Sequence, residues 1–197
     1  MNLRYSNIFH SLYYNADQQI LHQTFCLLIL KNLDSDDAIA ILENVEEKDK
    51  NAILSLLPPK DRFALLEGLS YPEDSAARIM QREFTAIPSN WSVGQTIDYL
   101  RENKDLPEEF LEIYIVDENF KPVGTVPSSK VLRTPRESKM SSIMEDSPFL
   151  VPVDMDREEV GHLFENYNLN SACVVDKNNK LVGMISDVGS NSSAFLR

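Results

Sequence analysis

Apolar residues recur every twelve positions in the stretch that begins at Asp34. The repeated positions are Asp37, Asp49 and Asp61; Ile41, Ile53 and Leu65; Leu42, Leu54 and Leu66; and Val45, Leu57 and Leu69. This spacing predicts one short helix of about eight to ten residues per repeat, entered through an acidic or proline-rich turn. Because so short a helix cannot bury its apolar face alone, the repeats predict a superhelical bundle of stacked neighbours.

The residues on either side of this bundle carry further helix signals. Asp17 is placed to cap a helix from Gln18 to Lys31, whose apolar positions form one broad face. Pro72 ends the bundle, because proline cannot continue a helix. Asp74 or Ser75 is then placed to cap a new helix that runs through Met80.

The second half of the chain contains the same pattern twice. Ile79-Met80 recurs as Ile143-Met144, and Tyr114-Ile115-Val116-Asp117 recurs as Cys173-Val174-Val175-Asp176. The offset is 64 residues in the first pair and 59 in the second, so the first copy has five extra residues, which a loop at 104–108 would hold. A duplication of this size predicts two similar modules packed face to face, with a cleft between them that suits a ligand.

Both copies predict the order strand, helix, strand, turn, strand. The predicted strands are 84–87, 113–116 and 122–126 in the first copy, and 149–151, 172–175 and 181–185 in the second. The first copy then has room for a closing helix and a link over 128–137, whereas the second ends in a polar tail. The predicted fold class is α+β, with an all-α domain at 1–70, a module at 71–137 and a C-terminally shortened module at 138–197.

The net charge of the chain limits the classes of molecule that it is expected to bind. Of 197 residues 43% are hydrophobic, and 19 Lys and Arg stand against 31 Asp and Glu, which gives a formal net charge of −12. This charge repels phosphate backbones and attracts cations, so nucleic acid is not an expected partner. No apolar run approaches the ~20 residues of a membrane helix, and the first residues lack the apolar region of a signal peptide, so the sequence predicts a soluble, cytoplasmic polypeptide.

The residue types that usually carry catalysis are dispersed. Cys26 and Cys173 lie in separate apolar runs without a CxxC partner, which indicates buried free thiols. His10, His22 and His162 are scattered and the six glycines are isolated, so no nucleophile–base set or phosphate loop can be identified. The sequence therefore predicts that the chain is not an enzyme.

Longer motifs connect this pattern to a known family. They are Leu56-Leu57-Pro58-Pro59, the run Leu-Ser-Tyr-Pro-Glu-Asp-Ser-Ala-Ala-Arg-Ile-Met at 69–80, Trp91-Ser92-Val93-Gly94, Ile113-Tyr114-Ile115-Val116-Asp117, and 154–160. The duplicated half resembles a tandem pair of CBS modules. Together with the helical repeats it resembles the cytosolic region of MgtE-type magnesium transporters, over about residues 33–186. The resemblance implies a homodimer through the CBS domains, joined to a membrane transporter domain.

The resemblance also implies metal ligands. In that family Mg²⁺ binds between acidic faces of the N-domain and the CBS pair and keeps the pore closed. Asp36 matches an acidic N-domain position, and Asp156, Glu158 and Glu159 match acidic positions at the start of the second module's helix. Oxygen ligands suit Mg²⁺ because it is a hard ion. The alternative for all four carboxylates is helix capping and compensation of the helix dipole.

Other positions depart from the family pattern. Acidic residues of the family are replaced at three positions: Ala40, Lys130 and Asn168. Many CBS pairs hold adenine nucleotides with a Ser or Thr after the last strand and an Asp three residues later. The first copy has Pro127 and Lys130 at those positions, and the second has Ser186 and Gly189. These replacements disfavour ATP as a cofactor.

Three hypotheses for the function follow. In the first, the chain is the Mg²⁺-sensing cytosolic region of an MgtE-like magnesium transporter, and Mg²⁺ gates transport by closing the N-domain onto the CBS pair. In the second, it is a stand-alone CBS protein that binds adenine nucleotides and regulates a partner. In the third, it is a truncated remnant without a ligand.

Overall fold

The computed structural model describes residue 30 and residues 33–107, 110–146 and 148–186. The chain divides into two compact units, Met1–Glu73 and Asp74–Arg197. The helix predicted from Gln18 to Lys31 lies outside the described residues except for Leu30, and so do Cys26, His10 and His22.

The described part of the first unit consists of three short helices, α1 (Ser35–Glu43), α2 (Glu47–Leu56) and α3 (Pro59–Ser70). The prediction of one helix per repeat is confirmed, although α3, with 12 residues, is longer than expected. Proline suits the start of α3, because its fixed φ matches the helix and it has no N–H to leave unpaired. The buried residues of this unit form one core: Leu30, Ala38, Ile39, Leu42, Ile53, Leu54, Leu57 and Leu65.

Close contact between α1 and α3 decides which repeat positions are buried. Leu65 and Gly68, three residues apart, face this core, and a Cβ added to Gly68 would lie 2.2 Å from Cδ1 of Ile39. Leu66 lies about 100° further round the helix. It is 48% exposed, although the equivalent Leu42 and Leu54 are buried. The twelve-residue repeat therefore predicts the helices better than it predicts their buried faces.

The helix predicted to run through Met80 is wrong, since only a single 3-10 turn forms at Ala76–Arg78. The N–H of Ala76 donates to the carbonyl of Met155 (2.8 Å), and the N–H of Ala77 donates to the carbonyl of Val153 (3.0 Å). These N–H groups bond to the second module, so the segment follows that module's backbone and does not continue as a helix.

The first module contains a three-stranded unit with two helices. Its elements are β1 (Ala86–Pro88), α4 (Val93–Glu102), β2 (Glu112–Val116), β3 (Pro122–Pro127) and α5 (Ser128–Arg133). β1 runs parallel to β2, and β2 runs antiparallel to β3. A capping box between Ser92 and Gln95 starts α4, because each residue's side chain accepts a backbone N–H of the other.

The second module repeats this arrangement with β5 (Leu150–Pro152), α6 (Arg157–Tyr167), β6 (Ser171–Val175) and β7 (Leu181–Ser186). β5 is parallel to β6, and β6 is antiparallel to β7. Even the irregularity is repeated, because register shifts occur at Ile115/Val116 and at Val174/Val175. The predicted α+β class and duplicated strand order are therefore confirmed, although the first strand of each copy begins one or two residues later than predicted.

Each module also contributes a short segment to the other module's sheet. β4 (Glu145–Asp146), which precedes β5 in the second module, pairs antiparallel with β3 of the first. Correspondingly, Gln81 forms a bridge with Met184 on β7. Glycine is required where each segment crosses, because a Cβ on Gly124 would lie 2.8 Å from the carbonyl oxygen of Glu145, and a Cβ on Gly183 would lie 2.9 Å from that of Gln81.

The closing helix α5 is shorter than the predicted 128–137 segment and ends at Arg133. Pro135 follows two residues later, and proline is disfavoured in a continuing helix. The polar tail of the second copy, from residue 187 onward, lies outside the described residues.

Candidate ion ligands and the cleft between the modules

Asp36 lies in the first turn of α1, and its side chain is partly buried. Its Oδ1 atom is buried and has no hydrogen-bond partner among the described residues. Burial, together with the charge of Asp37, raises the pKa of Asp36 to about 7 from 3.8, although backbone N–H groups of Asp36 and Asp37 oppose part of this rise. Burial also raises the pKa of Asp37.

This rise in pKa separates Asp36 from an ordinary dipole-compensating residue. A helix N-terminus stabilises a carboxylate and lowers its pKa. At Asp36 the loss of hydration outweighs that effect, because the pKa rises. An unpaired buried carboxylate oxygen is costly unless a cation or a proton compensates it. Of the predicted ligands, Asp36 is therefore the one for which the described structure supplies no structural role.

Asp156 is the N-cap of α6, and its structural role is visible. Its Oδ1 accepts the N–H of Glu158 at 2.7 Å, and its backbone forms a bridge with Ser75. The N–H of Arg157 donates to the carbonyl of Asp74 at 2.8 Å, so the start of α6 is joined to the segment before the first module. The capping explanation holds for Asp156, and its second oxygen remains available to a ligand.

Glu158 and Glu159 follow in the first turn of α6, and both side chains are exposed. Both positions suit the helix dipole. The described residues contain no group of three or more His, Cys, Asp or Glu side chains arranged to hold a metal ion. Within the described part of either unit, the candidate carboxylates therefore do not form a cluster of three that would coordinate an ion directly.

A cleft of about 290 Å³ lies between the two modules of the second unit. Three carboxylates line it, Glu112 at the start of β2 and Glu145 and Asp146 of β4, together with Tyr114, Phe149 and Ser171. The Ser171 hydroxyl donates to Oε2 of Glu112 at 2.5 Å. Glu112 and Ser171 are 59 residues apart, so they occupy the same position in the two copies and meet where the modules pack together.

A second pair of equivalent residues, Tyr114 and Cys173, is buried beside Glu112 in the core shared by the two modules. Burial is the main cause of the raised pKa of Tyr114 and of Cys173, which rises to about 12, and the charge of Glu112 adds to both. At neutral pH both groups therefore keep their protons, and Cys173 is a free, inert thiol.

Two of the positions that depart from the family pattern, Pro127 and Asn168, have structural roles. Pro127 ends β3 and precedes α5, and Lys130 is exposed on α5. Asn168 ends α6 in the left-handed conformation (φ 49°), which asparagine tolerates better than most residues. Sequence reasoning missed the three cleft carboxylates, and the only available signal was that Glu112 and Ser171 share the 59-residue offset.

The chain belongs to the CBS-domain family, since the CBS domain model matches residues 76–137 and 140–188. The preceding residues 6–74 match the MgtE intracellular N domain. The chain therefore combines the N domain and CBS pair of MgtE-type proteins. Neither family is enzymatic, so the prediction that the chain is not an enzyme is confirmed.

Characterised relatives agree with this assignment. The chain is 28% identical to the magnesium transporter MgtE of Bacillus subtilis over 118 residues, which cover 60% of this chain and 26% of that protein. It is 30% identical to MgtE of Thermus thermophilus over 116 residues, which cover 59% of this chain and 26% of that protein. The match thus spans about a quarter of each relative.

The fold agrees with solved structures of the same region. The cytosolic domain of the Mg²⁺ channel MgtE in complex with ATP has a TM-score of 0.75 and 27% identity, with 82% of this chain and 66% of that one covered. The soluble part of a magnesium transporter has a TM-score of 0.74, 24% identity and coverages of 81% and 62%, and so supports the fold alone. None of the helices in the described ranges is long and apolar enough to cross a bilayer.

Proposed function

We propose that this chain is the Mg²⁺-sensing regulatory region of an MgtE-like magnesium transporter, at the cytoplasmic face of a membrane. In this proposal Mg²⁺ binds carboxylates of the helical unit and of the CBS pair and stabilises a closed arrangement of the two. Without the ion, the net charge of −12 drives the acidic surfaces apart. The ion then acts as the ligand that shifts a two-state equilibrium.

The observation that carries the proposal is that Oδ1 of Asp36 is buried and finds no hydrogen-bond partner within the described ranges. A divalent cation compensates both its charge and its missing hydrogen bond. Asp156 is proposed as a ligand through the oxygen that does not cap α6, with Glu158 and Glu159 as outer carboxylates that hold the ion's waters. Mg²⁺ commonly keeps several waters and needs few direct protein ligands, which suits such a sparse set.

We further propose a homodimer formed through the CBS pair and a membrane transporter domain as the regulated partner. Leu132 on α5, which is 77% exposed, is the position chosen to test the dimer, because a charge placed there would oppose burial against a second copy. Sedimentation velocity tests this point. Wild type is expected to sediment as a dimer, and Leu132→Glu is expected to shift it toward the monomer.

Calorimetric titration with Mg²⁺, combined with small-angle scattering, tests the sensor directly. Wild type is expected to bind Mg²⁺ with millimolar affinity and to become more compact, whereas Asp36→Asn combined with Asp156→Ala is expected to lose both responses. Asp61→Asn is the matched control, because Asp61 is an exposed first-turn acid on α3. Neither binding nor compaction at ~10 mM Mg²⁺ would contradict the proposal and favour a remnant without a ligand.

The related cytosolic domain was solved in complex with ATP, so regulation by a nucleotide is the competing proposal for this chain. No residue of the described cleft favours it over Mg²⁺ sensing. The same titration, with ATP in place of Mg²⁺ and with a chelator present, separates the two.

A further inference from the structure

We propose that the cleft between the two CBS modules of this chain excludes nucleoside phosphates, and that Glu112, Glu145 and Asp146 determine this exclusion. This cleft is separate from the proposed Mg²⁺ ligands, so its ligand class can be tested independently of Mg²⁺ sensing. Exclusion of nucleoside phosphates would distinguish this chain from the related cytosolic domain solved in complex with ATP.

Glu112 contributes a hydrogen-bond acceptor to the lining of the cleft. It begins β2, and its backbone pairs with Pro127, which has neither an N–H nor a side-chain donor to offer a phosphate. The nearby hydroxyl of Ser171 is already engaged, because it donates to Oε2 of Glu112. A phosphate entering here would therefore meet an acceptor carboxylate and a donor that is no longer available.

The other two carboxylates are fixed by backbone pairing. Glu145 pairs with Thr125, and Asp146 pairs with Gly124, through the segment that crosses to the first module's sheet. Close packing of this segment on Gly124 leaves it little freedom to withdraw. The cleft therefore carries three acidic side chains at its wall as a consequence of the fold itself.

Compensating cations are absent from the described lining of the cleft. Phosphate sites in proteins use Arg, Lys, helix N-termini or bound metal ions to offset the ligand's charge. The described residues that line this cleft include no Lys, Arg or His. Like charges facing each other at close range disfavour association, and the effect grows with the number of phosphates on the ligand.

The test is calorimetric titration of the full chain with AMP and with ATP, in the presence of a chelator. The test variant is Glu112→Gln, Glu145→Gln and Asp146→Asn combined, which keeps side-chain size and removes three negative charges. The matched control is Glu102→Gln, Glu118→Gln and Glu137→Gln combined, which makes the same change in net charge at exposed positions outside the cleft.

Wild type and the control are expected to show no saturable binding. The test variant is expected to bind at least about tenfold more tightly than the weakest affinity that the titration detects, with a larger gain for ATP than for AMP. Binding of ATP by wild type would overturn the proposal. So would equal affinities of the test variant and the control, because exclusion would then not depend on these carboxylates.

The single variant Glu112→Gln keeps the test decisive if the triple variant does not fold. Its amide oxygen can still accept the Ser171 hydroxyl, so the contact between the modules is preserved. A measurable gain in AMP binding by Glu112→Gln supports the proposal, and no gain overturns it.

Discussion

The first turns of α1 and α6 both carry clustered carboxylates, but the two clusters differ in burial and in hydrogen bonding. Asp36 in α1 has a raised pKa and a buried oxygen that has no hydrogen-bond partner in the part of the chain that the structure describes. Asp156 at the start of α6 is exposed and accepts a backbone N–H, and Glu158 is exposed beside it. Acidic residues at a helix N-terminus are therefore not evidence for an ion site by themselves. Burial without a hydrogen-bond partner is the feature that distinguishes Asp36.

The largest expected difference between the two clusters is the pH dependence of stability at Asp36. Its folded-state pKa of about 7 lies above the ordinary value of 3.8. Between these values the folded state keeps a proton that the unfolded state has released, so the free energy of unfolding falls as pH rises from about 4 to about 7. Asp36→Asn should remove most of this fall, with a smaller part left to Asp37, and raise the free energy of unfolding at pH 7 by about 2–4 kcal/mol.

Urea unfolding followed by circular dichroism at several pH values measures this effect. Asp61→Asn is the control and should retain the wild-type pH profile. If Asp36→Asn had the same pH profile as wild type, the carboxyl would be hydrated in solution and the contrast with α6 would disappear.

A smaller effect of opposite sign is expected at Asp156. Asp156→Ala removes the side-chain acceptor for the N–H of Glu158 and should lower the free energy of unfolding by about 1 kcal/mol. Asp156→Ser should restore most of this loss, because serine also caps helices. Thermal unfolding at fixed pH compares the two variants. Equal stability of Asp156→Ala and wild type would show that the cap does not contribute.

The smallest effects belong to Glu158 and Glu159. Single changes to Gln remove only the favourable interaction with the dipole of α6, worth about 0.3–1 kcal/mol at low ionic strength. The loss should shrink further in high salt, because exposed charges are screened. Urea unfolding at two salt concentrations checks this. A loss of unfolding free energy larger than that caused by Asp156→Ala would contradict the expected order of the effects.

Regular elements were predictable because their signals are local. The twelve-residue period located α1, α2 and α3, and the duplication located the strand order of both modules. Turn conformations were harder to predict from the sequence. Phe120 adopts a left-handed conformation (φ 63°), as does its equivalent in the second copy, Asn179 (φ 59°). Asparagine favours that conformation and phenylalanine does not, so the shared module fold imposes it on Phe120.

Features that depend on distant partners were not predictable. The sequence predicts a helix in the segment that begins at Ala76. In the structure, N–H groups of this segment donate to the carbonyls of Val153 and Met155, almost 80 residues away. The acidic lining of the cleft was not predicted for the same reason, since Glu112 and Glu145 are far apart in sequence. Asp36 was selected by family resemblance, whereas its burial, which gives the selection a physical basis, depends on the packing of the helical unit.

The central claim is that Mg²⁺ binds the buried carboxylate of Asp36, and proton release tests it most directly. At pH 7 a group with a pKa of about 7 is about half protonated, and metal binding must displace that proton. Calorimetry in buffers of different ionisation enthalpy should therefore give about half a proton released per Mg²⁺ at pH 7 and almost none at pH 9. Asp36→Asn should bind more weakly and release none. Undiminished Mg²⁺ binding by Asp36→Asn, with the same proton release as wild type, would contradict the claim.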